Sequence, residues 1–363
     1  MMASVPLNKV SQVESLSSTD LRLKPNNFDL LRFVFAFIVF LVHAYVLSGA
    51  DALSILGKLL SSEIAVKSFF VVSGFLIFMS FENSSSIKSY FLKRARRIYP
   101  AYFMVVLLCA FLGGIFSSYS WGEYSSLPVL KYITVNLVFL NFVQPNLPGL
   151  FESNALQAVN GALWTLKIEV MFYLFVPFAV MAFRKFGRFK MITALYFASI
   201  LYTIVMADLA SRTGLSLYVE LQRQLPGQLA FFIAGAAGYY YLQYLAKYAM
   251  WLVGLALLIF MFQAWLPWVA VEPVALAIIV VYFACIFPCI GNFGKYGDFS
   301  YGMYIVHFPI LQLLISYGLF KESPWLALGM AGLLIMMVAF LLWHLIEKPF
   351  LRKSSHYLAA SRG

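Results

Sequence analysis

Long apolar stretches alternate with short polar ones along almost the whole chain. Apolar runs occupy 28–49, 64–81, 99–117, 163–183, 190–208, 225–245, 249–267, 270–290, 300–320 and 325–346. Crossing the hydrocarbon core of a bilayer takes about 20 apolar residues in a helix, so the pattern predicts about ten transmembrane helices. An eleventh stretch, 129–143, is shorter and carries Asn136 and Asn141; it reads as a re-entrant or interfacial helix. The predicted fold class is an all-α, polytopic membrane helix bundle. The expected organisation is a disordered cytoplasmic tail over 1–25, a membrane domain over 26–350 and a second cytoplasmic tail over 351–363. Neither an internal repeat nor a soluble domain is visible.

Composition narrows the function classes. Hydrophobic residues make up 62% of the 363 and charged residues only 11%, against roughly a quarter in soluble globular proteins. That excludes an ordinary soluble enzyme and an intrinsically disordered chain. The net charge of +11 would raise the question of nucleic acid in a soluble protein. Here the basic residues sit in short stretches between apolar runs, where they act as topology signals and as a candidate phosphate site. With ten spans and a cytoplasmic N-terminus, 19 of the 26 Lys and Arg fall on the cytoplasmic side and seven on the other. Making 129–143 a span would move the Arg184–Lys190 cluster to the wrong side. Both ends are therefore expected in the cytoplasm. Residues 1–25 are polar and the first apolar run is too long for a cleavable signal, so none is expected. Cys109, Cys285 and Cys289 lie in apolar runs without metal-ligand spacing; neither a metal site nor a disulfide framework is expected.

Ionisable groups inside a membrane are costly and are functional candidates by default. The first span carries Asp29, Arg32 and His43. Arg32 and His43 are eleven residues apart, about three helical turns, which puts both side chains on one face roughly 16 Å apart along the axis. Snorkelling of Arg32 and a backbone bond to His43 is the competing structural explanation. In the second span, Phe69 to Phe75 holds Ser73-Gly74 within a bulky run, which suits close helix packing. Glu63 and Lys67 are spaced for a local pair. The loop that follows reads Lys93-Arg94-Ala95-Arg96-Arg97. It is either a stop-transfer anchor or a phosphate site, since Arg94 and Arg97 project together on a helical turn and guanidinium forks suit phosphates.

Further along, Thr165, Glu169 and Tyr173 fall on one helical stripe, and a carboxylate that deep needs a basic partner. Ser300, Tyr304 and His307 share a face, with Pro309 expected to kink the helix just beyond. Pro349 is expected to end the last helix, beside Lys348 at its cytoplasmic end. P-loop, zinc and nucleophile-elbow motifs are absent from the sequence, so any chemistry rests on His, Glu and Arg inside helices.

These segments together resemble the acyltransferase-3 family of integral membrane acyltransferases, over nearly the whole chain from about Asn27 to Phe350. The resemblance is carried by Phe28-Asp29-Leu30-Leu31-Arg32 with its gap to His43, Phe69 to Phe75, Arg94-x-x-Arg97 before Ile98-Tyr99-Pro100, Trp164 to Glu169 with Phe172-Tyr173, Ser300-Tyr301 to His307, and Glu347-Lys348-Pro349. Two departures stand out. The family's second carboxylate after Trp164-Thr165-Leu166-Lys167-Ile168-Glu169 is Val170 here, so a role transfers only to Glu169. The start that often reads Asp-Gly-Leu-Arg reads Asp29-Leu30-Leu31-Arg32, which keeps both charges. The chain looks like the stand-alone form, without a fused hydrolase-like domain.

The resemblance implies transfer of an acyl group, most commonly acetyl, from cytoplasmic acyl-CoA across a bacterial inner membrane to a hydroxyl of a cell-surface or lipid-linked glycan, lipopolysaccharide among the options. Acyl-CoA is then a co-substrate and no cofactor is permanently bound. Its phosphates would dock at Arg94 and Arg97, with Arg32 guiding the pantetheine arm. His43 would act as general base or accept the acyl group itself. Glu169 or Asp29 would orient the imidazole, and Asp29, Tyr304 and His307 would line the substrate cavity. The rival is a glycan or lipid transporter or flippase, which buried charges and ten spans also suit. A homo-oligomer is compatible with the sequence.

Overall fold

A computed structural model of the chain describes residues 26–291 and 293–351. The tail expected over 1–25, and all but the first residue of the one over 351–363, lie outside the described residues. No strand occurs among the described residues. Eight helices are long and apolar enough to cross a bilayer. They are α1 (Phe28–Ser48), α2 (Ser62–Glu82), α3 (Ile87–Phe116), α5 (Trp164–Phe186), α6 (Arg188–Thr213), α9 (Trp268–Val281), α10 (Phe299–Ser316) and α11 (Pro324–Leu341). A π-helical turn at Tyr282–Ile286 prolongs α9, and another at Leu342–Glu347 carries α11 on to Phe350. Three helices of intermediate length follow: α4 (Leu127–Leu137), α7 (Leu225–Tyr240) and α8 (Ala249–Met261), besides several of seven residues or fewer. The protein is an all-α, multi-pass membrane helix bundle.

Two expectations from the sequence change. The stretches 225–245 and 249–267 form helices of only 16 and 13 residues, about 24 and 20 Å long, because the chain breaks at Tyr241 and again at Tyr248. The basic stretch Lys93–Arg97 is not a loop. It lies inside the 30-residue α3, since Lys, Arg and Ala are all strong helix formers. α10 continues past Pro309 to Ser316. The short α4, 11 residues long, agrees with a segment that does not span.

The chain divides into two compact units. Among the described residues, one takes 26–28, Lys67–Tyr90 and 171–291; the other takes Asp29–Val66, Phe91–Val170 and 293–351.

In the first unit α2 and α7 cross with their backbones in contact. A Cβ on Gly74 would strike the Phe232 carbonyl, and one on Gly235 would strike the Val71 carbonyl. This is the small-residue crossing that membrane helices use when apolar burial alone gives no preference for partner helix over lipid. Phe172 stacks on Phe232 at 3.9 Å beside it. Lys67 of α2 places its ammonium 2.9 Å from both oxygens of Glu272 on α9. Pro177 of α5 has no N–H to give the Tyr173 carbonyl four residues earlier; the Tyr90 hydroxyl donates to that carbonyl instead, at 3.1 Å.

In the second unit α10 and α11 pack closely, with Gly302 against Ala339. The loop from Gln144 to Asn160 is fastened along α10. Asn160 donates to the Ile305 carbonyl at 2.8 Å, Asn154 donates to Gln312, and Gln312 donates to the Ala158 carbonyl. Ile305 lies four residues before Pro309, so its carbonyl is the one that a proline leaves short of its helical donor. In lipid such a carbonyl has to be satisfied from within the protein.

Candidate functional site

α1 and α10 carry two points of contact, both within the second unit. Near their N-terminal ends, Arg32 meets Asp298, the N-cap of α10, at 2.7 Å. Further along, His43 Nδ1 lies 2.8 Å from His307 Nε2. Eleven residues on one helix and nine on the other separate the contacts, about 16 and 13 Å. The two helices therefore run side by side in the same direction, and Arg32 and His43 share the face that touches α10.

The Arg32 end is a charged cluster. Oδ2 of Asp298 receives both Arg32 and Arg97, while Oδ1 accepts the Ser300 amide and hydroxyl. Arg97 of α3 also pairs with Glu347 at 2.5 Å and lies over the rings of Tyr301 and Trp343. Asp29 is 3.7 Å from Arg32. The side chains of Asp298 and Glu347 are each 1% exposed. Burial of carboxylates at that depth requires paired cations, and the two guanidinium groups supply them. Gly297 stands just before the cap at φ +128°, where a Cβ would run into the Trp343 indole; a glycine is required for the chain to turn there.

The His43 end is drier. His307 is fully buried, and its Nδ1 lies 2.7 Å from the Tyr304 carbonyl one turn earlier. Phe308 sets its edge against the His43 ring, with centroids 5.9 Å apart. The Tyr304 hydroxyl shares a hydrogen bond of 2.8 Å with Thr165 at the start of α5. Glu169 follows Thr165 by one turn on the same helical face and is half-buried. No group of three or more His, Cys, Asp and Glu that could hold a metal occurs among the described residues.

The expected residues therefore separate into two places. Arg32, Arg97 and Asp29 meet at the Asp298 cluster, and His43, His307 and Tyr304 gather three turns further along. Arg94 lies one turn before Arg97 on α3. Asp29 cannot orient the imidazole as expected, because fourteen residues of α1, about 21 Å, lie between them. The ring nitrogen that meets His43 Nδ1 belongs to His307, a residue expected only to line the cavity. Lys67 reaches Glu272 on α9, a partner that spacing within its own helix does not indicate.

Three residues escaped sequence reasoning: Asp298, Glu272 and Asn160. Asp298 carried a usable signal, since an Asp just before Phe299-Ser300 at the start of an apolar run is an N-cap pattern. Glu272 and Asn160 gave none, because their partners are distant in sequence.

The loop fastened to α10 also bounds a cleft of about 230 Å³ lined by Gln144, Asn146, Glu152 and Gln157 with Pro128 and Leu150. Its amides and carboxylate are hydrogen-bonding groups of the kind that hydroxyl-rich ligands engage.

A family model described as an acyltransferase domain matches residues 26–344. An O-acetyl transferase of Shigella phage Sf6 is 29% identical over 93% of this chain and 99% of its own length. Nodulation protein 10 of Rhizobium leguminosarum bv. viciae is 28% identical over 92% of this chain and 95% of its own. An uncharacterized protein of Haemophilus influenzae is 30% identical over 43% of this chain. No solved structure matches.

Proposed function

The chain belongs to the acyltransferase-3 family and is a membrane O-acyltransferase, and from that premise we propose that it transfers acetyl from cytoplasmic acetyl-CoA to a hydroxyl of a cell-surface or lipid-linked glycan, with His43 as general base. The observation that carries this reading is the position of the His43 ring. It packs onto α10, against His307 and Phe308, on the same helix face as Arg32. An imidazole there has a ring nitrogen able to take a proton from an acceptor hydroxyl.

In the proposed step the acceptor O–H bond breaks and its proton passes to His43. The freed oxygen attacks the thioester carbonyl and a C–O bond forms. The C–S bond breaks, and the departing CoA sulfur takes the proton from His43. Atoms and charge balance, with an ester and free CoA as products. The donor's phosphates dock at Arg94 and Arg97. Arg97 is held in a fixed orientation by Asp298 and Glu347. Glu169 lies on the α5 face that Thr165 ties to α10. The cleft of the Gln144–Asn160 loop offers a place for a sugar. The ends of the chain are cytoplasmic in this reading. The two short helices α7 and α8 are consecutive, so counting both or neither as spans leaves every other segment but Lys247 on the same side.

The test uses inverted membrane vesicles supplied with acetyl-labelled acetyl-CoA. The wild-type chain is expected to consume thioester and leave label on glycan, and His43→Ala to abolish both at equal protein level. Glycan movement without thioester consumption would mean a transporter, and unaltered acetylation by His43→Ala would remove His43 from the chemistry.

A further inference from the structure

A neutral imidazole has one nitrogen that donates and one that accepts, and which is which depends on its neighbours. The His43–His307 pair leaves only one consistent assignment. A carbonyl oxygen can only accept, so His307 Nδ1, at 2.7 Å from the Tyr304 carbonyl, carries the proton. The lone pair of His307 then sits on Nε2. That nitrogen is 2.8 Å from His43 Nδ1, so His43 Nδ1 carries a proton and donates it. The lone pair of His43 is left on Nε2. Reversing either ring would aim two lone pairs, or two N–H groups, at each other.

We propose that His307 is a positioning residue for acyl transfer: it fixes His43 in the Nδ1–H tautomer and presents Nε2 as the atom that takes the acceptor's proton. The inference rests on the reading of His43 as general base. Hydrolytic triads assign the orienting task to a carboxylate. In the apolar interior here an ionised orienter would carry a large desolvation cost, whereas a second neutral imidazole is cheap to bury once both its nitrogens are bonded. The arrangement also serves the charged state. When Nε2 of His43 takes the proton, its Nδ1–H bond to His307 becomes charge-assisted and strengthens. The His307 ring cannot swing away, because it is fully buried in α10 with its Nδ1 bonded to the helix's own backbone.

The chain has four histidines, so its ring nitrogens can be assigned one by one by substitution in the full-length protein, histidine-labelled with nitrogen-15 and held in lipid nanodiscs. The expected spectrum at neutral pH gives His43 a protonated Nδ1 and a pyridine-like Nε2; a proton on Nε2 instead would overturn the proposal without any variant. In His307→Leu, which removes the acceptor, the tautomers of His43 should mix. The turnover of acetyl transfer should fall on the order of 10- to 100-fold, with the KM for acetyl-CoA unchanged. His307→Gln places an amide oxygen where Nε2 stood and should restore the single tautomer and most of the turnover. Equal turnover in the leucine, glutamine and wild-type chains would sink the proposal, as would an unaltered His43 spectrum in His307→Leu. Either failure is distinct from failure of the parent reading, which His43→Ala alone decides.

Discussion

Asn160 donates its side-chain amide to the Ile305 carbonyl at 2.8 Å, and Ile305 is the residue whose helical donor Pro309 removes. Sequence put a proline in the middle of an apolar helix. The fold answers it with an asparagine that is 145 residues away in the chain. The pair also fixes the start of α5 against the helix that carries His307.

This relationship predicts an unusual rescue. Asn160→Leu should leave a buried carbonyl under-satisfied, at about 1–3 kcal/mol, and lower the thermal midpoint of the detergent-solubilised protein. Pro309→Ala returns an N–H to the Ile305 carbonyl. Adding Asn160→Leu to Pro309→Ala should therefore cost less than adding it to the wild type. Equal costs in the two backgrounds would show that the amide and the proline are not coupled.

At the charged cluster, Arg97→Ala should strand the buried Glu347 and leave the buried Asp298 to Arg32 alone. Removing one partner of a buried ion pair costs about 3–5 kcal/mol, so the variant should be depleted from membranes. Arg97→Lys should recover only part of the loss, because one ammonium cannot reproduce the fork that reaches two carboxylates. Arg94→Ala should weaken acetyl-CoA binding in an equilibrium titration at equal amounts of folded protein. Unchanged binding would leave Arg94 as an anchor.

For the Lys67–Glu272 pair, Lys67→Met alone should destabilise by leaving Glu272 without its cation in a site where that side chain is 6% exposed. The double variant Lys67→Met with Glu272→Leu should return close to wild-type stability, since apolar replacement of a buried pair is often neutral or stabilising. Acetyl transfer by the double variant should be retained. A loss of transfer at normal stability would give the pair a functional role.

The α2–α7 crossing makes the sharpest steric prediction. Gly74→Leu or Gly235→Leu forces a side chain into a facing backbone carbonyl, and the penalty should reach the upper end of the about 1–3 kcal/mol typical of overpacking. Gly254 on α8, whose Cβ would meet open space, should tolerate leucine. Expression level and midpoint in detergent compare the three.

Much was decided by the order of residues alone. Apolar length fixes a multi-pass helical protein, because a bilayer admits few other ways to satisfy a backbone. Arg32 and His43 share a face because eleven residues are close to three whole turns of an α-helix. The close packing at Ser73-Gly74 was legible for the same local reason. What touches that face was not legible. That Asp298 caps α10 while receiving both Arg32 and Arg97, that Glu272 lies opposite Lys67, and that His43 meets another imidazole rather than a carboxylate are all long-range contacts. Helical periodicity specifies directions around one axis. Which second helix stands in a given direction, and at what register, is set by the packing of backbones at glycines such as Gly74 and Gly235 and by the pairing of buried charges, and those depend on the folded chain as a whole.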